Sequence, residues 1–339
     1  MNNVIGIGDV LPDLNQWQII DVRAPGEFLA GHIPGAVNIP LFSDEERAKV
    51  GTLYKQVSPE AAMKQGLSFA GAKMNHILEQ AALLSKDSNK INLIHCWRGG
   101  KRSEAIHWLL TFSGISASRL EGGYKSFRTA VQAFFNDVPH QLNILGGCTG
   151  SGKTEILREI ARKGHQVIDL ESLAHHKGSA FGSIGEEDQP TNEQFENDLY
   201  TAFLPMDMSR PIWLENESKS IGRIHIPDGL WYKMKGSQLY NIEVDKETRL
   251  DRALKYYSDP ASIEMLIHSF EKIHKRLGGL EFQKAIKALH EGDLRTAASI
   301  ALVYYDKSYT FQLHGWPSEN VVHLTECEDV SKTADRLIN

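Results

Sequence analysis

LNILGGCTGSGKTEILREIAR, Leu142 to Arg162, places an apolar run, a glycine-rich turn and a helix-patterned segment in immediate succession. Within it, Gly147 to Thr154 satisfies the spacing G-x4-G-K-[ST]. Glycines at those positions let backbone N–H groups turn inward around phosphate oxygens, and the start of the following helix adds positive potential. The spacing assigns Lys153 to a terminal phosphate and Thr154 to a magnesium ion, on backbone supplied by Gly147, Gly150 and Gly152. It predicts a strand over Leu142–Leu145 and a helix over Lys153–Arg162, and further strands follow at Gln166–Leu170 and Pro211–Leu214. Asp169 ends VIDL and Glu215 ends IWLE, so each is a candidate magnesium ligand, directly or through water. The competing reading is an acidic residue that happens to end a strand. Cys148, inside the loop at a variable position, reads as a small filler.

Working upstream, Asn136 to Gln141 carries Pro139 and little hydrophobic periodicity, which puts a domain boundary between residues 1–137 and 138–339. The first part repeats the α/β pattern. Strand-like runs cover Trp17–Val22, Val37–Pro40 and Ile91–His95, and a helical pattern covers Glu104–Phe112. Ser43 with Glu46 reads as a capping box over Asp44–Tyr54, and Ser58-Pro59 opens a second helix. Strand, loop and helix in alternation predict a mostly parallel sheet covered by helices in both parts. Downstream, Arg249 to Tyr305 is helical in pattern, with breakers at Pro260 and Gly278-Gly279.

The stretch HCWRGGKRSEA, His95 to Ala105, puts Cys96 at the end of a strand before a glycine-containing turn and a helix. Backbone N–H groups and a helix N-terminus favour thiolate over thiol at such a place. Arg98, Lys101 and Arg102, with Gly99 and Gly100 between them, form a candidate anion cradle around Cys96 as nucleophile. His95 reads as a packed residue rather than a base. Five residues separate Cys96 from Arg102, so spacing alone admits a phosphatase, with Arg102 as a bidentate phosphate clamp, as well as sulfur chemistry.

Bulk properties narrow the class. The 339 residues are 41% hydrophobic and 24% charged, as in ordinary globular protein. The three cysteines are far apart with no C-x2-C pair, against a disulfide framework or structural zinc. Neither a signal peptide nor a membrane-length apolar run is present, so a cytoplasmic protein without membrane contact is expected. Net charge is −6, made of +1 before His140 and −7 from His140 onward; nucleic acid, if bound, needs a local basic patch.

IIDVRAPGEFLAGHIPGAVNIP, Ile19 to Pro40, with Asp21, Arg23, Glu27 and His32, resembles the rhodanese-domain signature, and LEGGYKSFRTA, Leu120 to Ala130, resembles that family's closing motif. Some phosphatases share the rhodanese fold, so this resemblance implies a fold rather than a reaction. Asp21 and Arg23 read as a structural ion pair. Taken with LAHHKGSAFG (Leu173–Gly182), QPTNEQFEN (Gln189–Asn197) and WLENESKSIGRIHIP (Trp213–Pro227), the chain resembles the tRNA 2-selenouridine synthase family nearly end to end. The resemblance implies a rhodanese-like parallel-sheet domain, then a P-loop NTPase-like α/β domain with a helical C-terminal part.

It also implies replacement of sulfur by selenium at carbon 2 of a wobble 2-thiouridine in tRNA, after geranylation of the thio group. Geranyl diphosphate and selenophosphate are the implied co-substrates, with magnesium as the candidate ion and no tightly bound cofactor. The implied partners are a tRNA carrying 2-thiouridine and a selenophosphate-supplying enzyme. Cys96 becomes the nucleophile or selenium carrier, and the loop from Gly147 to Thr154, with Ser151 as a further backbone donor, holds the diphosphate. His175, His176 and Lys177 are either a contact to diphosphate or RNA or a solvated loop. Trp213 and Trp231 either stack a base, line a prenyl pocket or belong to the core. The alternative function is a rhodanese-fold phosphatase or sulfurtransferase coupled to an ATP-dependent P-loop domain.

Overall fold

The computed structural model describes residues 3–86, 90–257, 263–325, 327 and 329–339; Pro260 lies outside them. The chain forms two compact units, Met1–Phe134 with Glu196–Pro205, and Phe135–Phe195 with Met206–Asn339. Each is built on its own parallel sheet.

In the first unit the strands are β1 (Val4–Ile5), β2 (Trp17–Asp21), β3 (Val37–Asn38), β4 (Ile91–His95) and β5 (Ala117–Leu120), in the spatial order β1-β5-β4-β2-β3. Every pairing is parallel. β4 is central, and all but its first residue are buried, as expected of a strand covered on both faces. Ile20, Ile94, Ile106 and Leu110 join Cys96 in one apolar cluster, which fixes the mouth of β4 against the helix Lys101–Phe112. The Ser43 capping box forms as its sequence predicts, with Ser43 Oγ accepting from the Glu46 amide at 3.2 Å and Glu46 accepting from the Ser43 amide at 2.8 Å.

Residues 196–205, which the sequence boundary assigns to the second part, belong to the first unit. Asn197, fully buried, donates to the Tyr124 hydroxyl at 2.7 Å and to the His32 carbonyl at 2.9 Å, and accepts from Arg128 at 2.6 Å. Arg128 also pairs with Glu196 at 2.5 Å. The tail of QPTNEQFEN is therefore a structural strap beneath the cysteine loop.

In the second unit the strands are β6 (Leu142–Gly146), β7 (Gln166–Val167), β8 (Ile212–Glu215), β9 (Ser220–Ile221), β10 (Ile224–His225), β11 (Gln238–Ile242) and β12 (Val321–Leu324). Five of them form a parallel sheet in the order β12-β11-β6-β8-β7, while β9 and β10 make a small antiparallel ribbon. The connection from β6 runs to one side and the connection from β8 to the other. A crevice therefore opens at the carboxyl ends of β6 and β8, the usual ligand position in such a sheet.

The strand expected over Gln166–Leu170 stops at Val167, because Asp169 instead caps the short helix Leu170–Leu173, its Oδ1 accepting from the Ser172 amide at 2.8 Å. The helical C-terminal part consists of Lys246–Tyr257, Ile263–Leu277, Gly279–His290 and Leu294–Leu313. These helices pack a second core around Leu266, Phe270, Ala285 and Leu289. Gly278, at φ 91°, makes the break between two of them. Among the described residues no helix is long and apolar enough to cross a membrane.

Candidate functional site

Each unit carries one loop at the carboxyl edge of its sheet. In the first, Cys96 leaves β4 and the chain turns through Gly99, at φ 67°, into the helix Lys101–Phe112. The loop rests on the turn after β5: the Tyr124 and Lys125 amides donate to the Cys96 and Trp97 carbonyls, both at 2.9 Å. Gly123, at φ 61°, permits this contact, since a Cβ there would lie 2.5 Å from the Gly99 nitrogen. The Gly122-Gly123 pair of LEGGYKSF is thus the floor of the cysteine loop.

The Cys96 side chain is 4% exposed, more enclosed than so polar a loop suggests. Its sulfur lies 3.4 Å from Ser103 Oγ, which donates to the Gly100 carbonyl at 3.0 Å. The expected cationic cradle is only partly assembled. Arg98 is exposed, and Lys101 points to solvent and pairs with Glu104 at 3.0 Å. Arg102 is held by Glu27 through bonds of 2.6 and 3.3 Å. Burial opposes both charges of that pair, yet their attraction wins, holding Glu27 below and Arg102 above their ordinary values. An anion at Cys96 would therefore meet the first amides of the helix, which have no intrahelical acceptor, before it meets a free guanidinium.

Behind the loop, Asp21 and Arg23 are buried and bonded at 2.6 Å, and Arg23 also donates to the Gly31 carbonyl and lies 3.9 Å from the Tyr124 ring centre. Burial raises the Asp21 carboxyl, but His95 and Arg23 outweigh it and keep the group below its usual range. His95 is fully buried, and desolvation pushes its imidazole down. These residues hold the loop in place, in agreement with their structural reading from the sequence.

In the second unit the turn Gly147–Gly152 wraps the start of the helix Lys153–Arg162, whose bounds match the sequence expectation. Gly150 and Gly152 have φ of 78° and 89°. A Cβ on Gly150 would lie 2.6 Å from the Arg249 carbonyl, so these glycines are required both by conformation and by close approach. Two arginines clamp the loop from the helix Lys246–Tyr257. Arg249 donates to the Thr149 carbonyl at 3.2 Å and holds Asp306 through two 2.8 Å bonds, while Arg252 donates to the Ser151 carbonyl at 2.6 Å. The Ser151 amide, expected to serve a phosphate, is engaged with the Cys148 carbonyl at 3.0 Å. Burial, and then Asp306, push the Cys148 thiol up to about 11.

The loop opens onto a cavity of about 300 Å³ lined by Lys153, Thr154, Arg158, Glu171, Lys177 and Glu217 among others. Lys153 Nζ donates to the Gly147 carbonyl at 2.9 Å, closing the loop on itself. Asp169 lines the cavity, but Glu215 does not. Glu215 is 3% exposed and accepts the Glu171 amide at 2.6 Å; burial, then the charges of Asp169 and Glu171, push its carboxyl well up.

The carboxylates that do face Lys153 and Thr154 are Glu171 and Glu217, which the sequence reading missed. Glu171 lies 3.5 Å from Thr154 Oγ1. Burial raises both groups, Glu217 to about 8 with Glu171 contributing. Glu171 stands two residues beyond Asp169, and Glu217 two beyond Glu215. That i, i+2 repetition of acids was the available signal.

Thr154, Asp169, Glu171 and Glu217 offer only oxygen donors, the chemistry Mg²⁺ prefers. No group of three or more His, Cys, Asp or Glu among the described residues stands in metal-holding geometry. An Mg²⁺ ion there would be held by one or two of these oxygens and by the phosphates themselves.

Of the basic cluster, Lys177 reaches the cavity and pairs with Glu186 at 2.7 Å. His176 is buried with its imidazole pushed down by desolvation, and His175, at φ 50°, lies 3.1 Å from the Asp188 carbonyl. Trp213 is core, 2% exposed and packed against Tyr240, and Trp231 lies beneath Lys235; neither lines the cavity.

The chain thus joins a unit with a cysteine loop on a parallel sheet to a P-loop unit whose loop opens onto a cavity. Residues 9–130 match the rhodanese-like domain model, and residues 140–337 match the model of the tRNA 2-selenouridine synthase AAA domain. The chain is 36% identical to a tRNA 2-selenouridine synthase of Nitrosomonas europaea over 76% of its own length and 68% of that protein. It is also 36% identical to one of Shewanella halifaxensis, over 88% and 90% of the two chains. A rhodanese-related protein of Thermoplasma volcanium with a crystal structure is 22% identical over 38% of this chain and 92% of its own, at a TM-score of 0.24. This chain belongs to the tRNA 2-selenouridine synthase family.

Proposed function

We propose that this protein replaces sulfur by selenium at carbon 2 of a wobble 2-thiouridine in tRNA, in two group transfers. In the first, the thio sulfur attacks C1 of geranyl diphosphate; the S–C bond forms, the C1–O bond breaks, and diphosphate leaves with the electron pair. Lys153 and the helix start at Gly152–Lys153 stabilise the charge developing on that leaving group, and Mg²⁺, held by Thr154 with Glu171 or Glu217, would neutralise more of it.

In the second transfer, selenophosphate supplies selenium and the geranylthiolate leaves carbon 2. Cys96 is the nucleophile of this step. Attack of its sulfur on phosphorus releases hydroselenide to displace the geranylthiolate, and water then frees phosphate from the cysteine. Attack on selenium instead would expel phosphorus as phosphite. A cytoplasmic setting and an enzyme supplying selenophosphate complete the proposal.

One observation carries the reading: a single chain of this family holds both a cysteine loop on a rhodanese-like sheet and a glycine-clamped phosphate loop facing Lys153.

Activity measured on thiolated tRNA separates the two loops. The Cys96→Ser variant should retain geranylation and lose selenouridine, and Lys153→Ala should lose geranylation at low geranyl diphosphate. Full selenation by Cys96→Ser would remove Cys96 from the reaction. Turnover of ATP or an aryl phosphate independent of tRNA would favour the alternative.

A further inference from the structure

Beside the phosphate cavity lies a second, smaller one of about 50 Å³, enclosed by the C-terminal helices. The two share Thr149, Ser179, Ala253 and Tyr305 in their walls, so the apolar space begins one side chain away from the phosphate loop. Beyond that junction the walls are almost wholly carbon: Leu266, Phe270 and Leu289 from two helices, and Ala297, Ala298 and Ala301 from the helix Leu294–Leu313. Three alanines within one and a half turns leave the space open, where larger side chains would close it. The polar atoms at its mouth are engaged: the Tyr305 hydroxyl accepts the Ala180 amide at 2.7 Å.

A site with anion donors at one end and a dry aliphatic end at the other suits an amphiphile with a diphosphate head and a hydrocarbon tail. It suits a nucleotide poorly, since the ring nitrogens of a purine would be buried there without partners. We infer that the space between the C-terminal helices is the prenyl subsite, taking the distal isoprene unit of geranyl diphosphate while the first isoprene unit crosses the junction at Ala253 and Tyr305. The subsite rests on the proposed geranyl transfer for the identity of its occupant, and it replaces the tryptophans, Trp213 and Trp231, as the place where the tail lies. Leu266, Phe270 and Leu289, which line this space and not the phosphate cavity, would limit the tail length.

Calorimetric titration of the full chain with geranyl diphosphate, dimethylallyl diphosphate and inorganic diphosphate tests the subsite, alongside alkylation of thiolated tRNA. The native protein should bind geranyl diphosphate about a hundredfold more tightly than inorganic diphosphate, from burial of a five-carbon unit. In Ala298→Phe, which fills the space from a half-buried position, that preference should fall to within a few-fold, with inorganic and dimethylallyl diphosphate unaffected. Unaltered inorganic diphosphate binding shows that the variant is folded. Leu289→Ala, which lengthens the space, should improve binding of the longer farnesyl diphosphate. Equal binding of geranyl and inorganic diphosphate by the native protein, or an undiminished preference in Ala298→Phe, would overturn the subsite. Geranyl preference without alkylation of tRNA would instead sink the proposed reaction and leave the subsite standing.

Discussion

Gly123→Ala is the sharpest perturbation of the cysteine loop, because its cost divides into two parts that a second glycine separates. Gly123 sits at φ 61°, and an alanine there would place its Cβ 2.5 Å from the Gly99 nitrogen and 3.0 Å from the Arg98 carbonyl carbon. Gly114, in the same unit at φ 82°, has nothing within 4 Å of the equivalent Cβ. Gly114→Ala therefore carries only the left-handed backbone cost, about 1–2 kcal/mol. Gly123→Ala carries the same cost plus crowding against backbone that cannot rotate aside, roughly 1–3 kcal/mol more.

Hydrogen exchange read on peptides spanning Ile91–Ala105 measures the local opening energy without assuming that the two units unfold together. Gly123→Ala should lower protection there by the larger sum. Alkylation of the enclosed Cys96 should also quicken by roughly 5- to 30-fold for each 1–2 kcal/mol lost, with Gly114→Ala nearer the native rate. Equal protection in the two variants, or an unchanged alkylation rate at Cys96, would refute the role of Gly122-Gly123 as the floor of the loop.

Two further outcomes concern the charged groups. Glu217 keeps its proton up to about 8 in the folded unit because of burial and Glu171, whereas an unfolded glutamate loses it near 4.5. Its contribution to stability is therefore full below about 4.5 and is lost as pH rises through about 8. Thermal melting against pH should show a shallower decline over that window in Glu217→Gln, and an unchanged slope would show that Glu217 is not the group responsible. Glu27→Gln should free Arg102 from its carboxylate and tighten anion binding at the cysteine loop by a few-fold, measured by sulfate or phosphate protection of Cys96 from alkylation. Protection equal to the native protein's would mean that Arg102 does not reach the loop's anion.

The parts of the fold legible in the sequence were those with strong local chemistry. The helix Lys153–Arg162 was readable to the residue because glycines and a lysine mark its start, and Ser43 with Glu46 marked another by reciprocal capping. The short edge strands β1 and β12 have two and four residues, too few to show a period, and exist because a neighbouring strand pairs with them. The expected strand over Gln166–Leu170 was cut short by the hydrogen-bonding side chain of Asp169, a local competitor to the sheet.

At the candidate sites, Cys96 and the loop from Gly147 to Thr154 were visible as motifs, while Glu171 and Glu217 were not. Their importance comes from burial beside Lys153, which residues from separate segments produce only after folding. The cationic cradle is only partly assembled for a related reason: Glu27, 75 residues upstream, holds Arg102.

The most direct measurement of the central claim is mass spectrometry of nucleosides from thiolated tRNA incubated with the protein, omitting each donor in turn. With both geranyl diphosphate and selenophosphate, 2-selenouridine should form at the wobble position. With geranyl diphosphate alone the S-geranyl nucleoside should form, and with neither donor 2-thiouridine should stay unchanged. Selenouridine formed at full rate without geranyl diphosphate, or no change of the tRNA with both donors present, would contradict that claim.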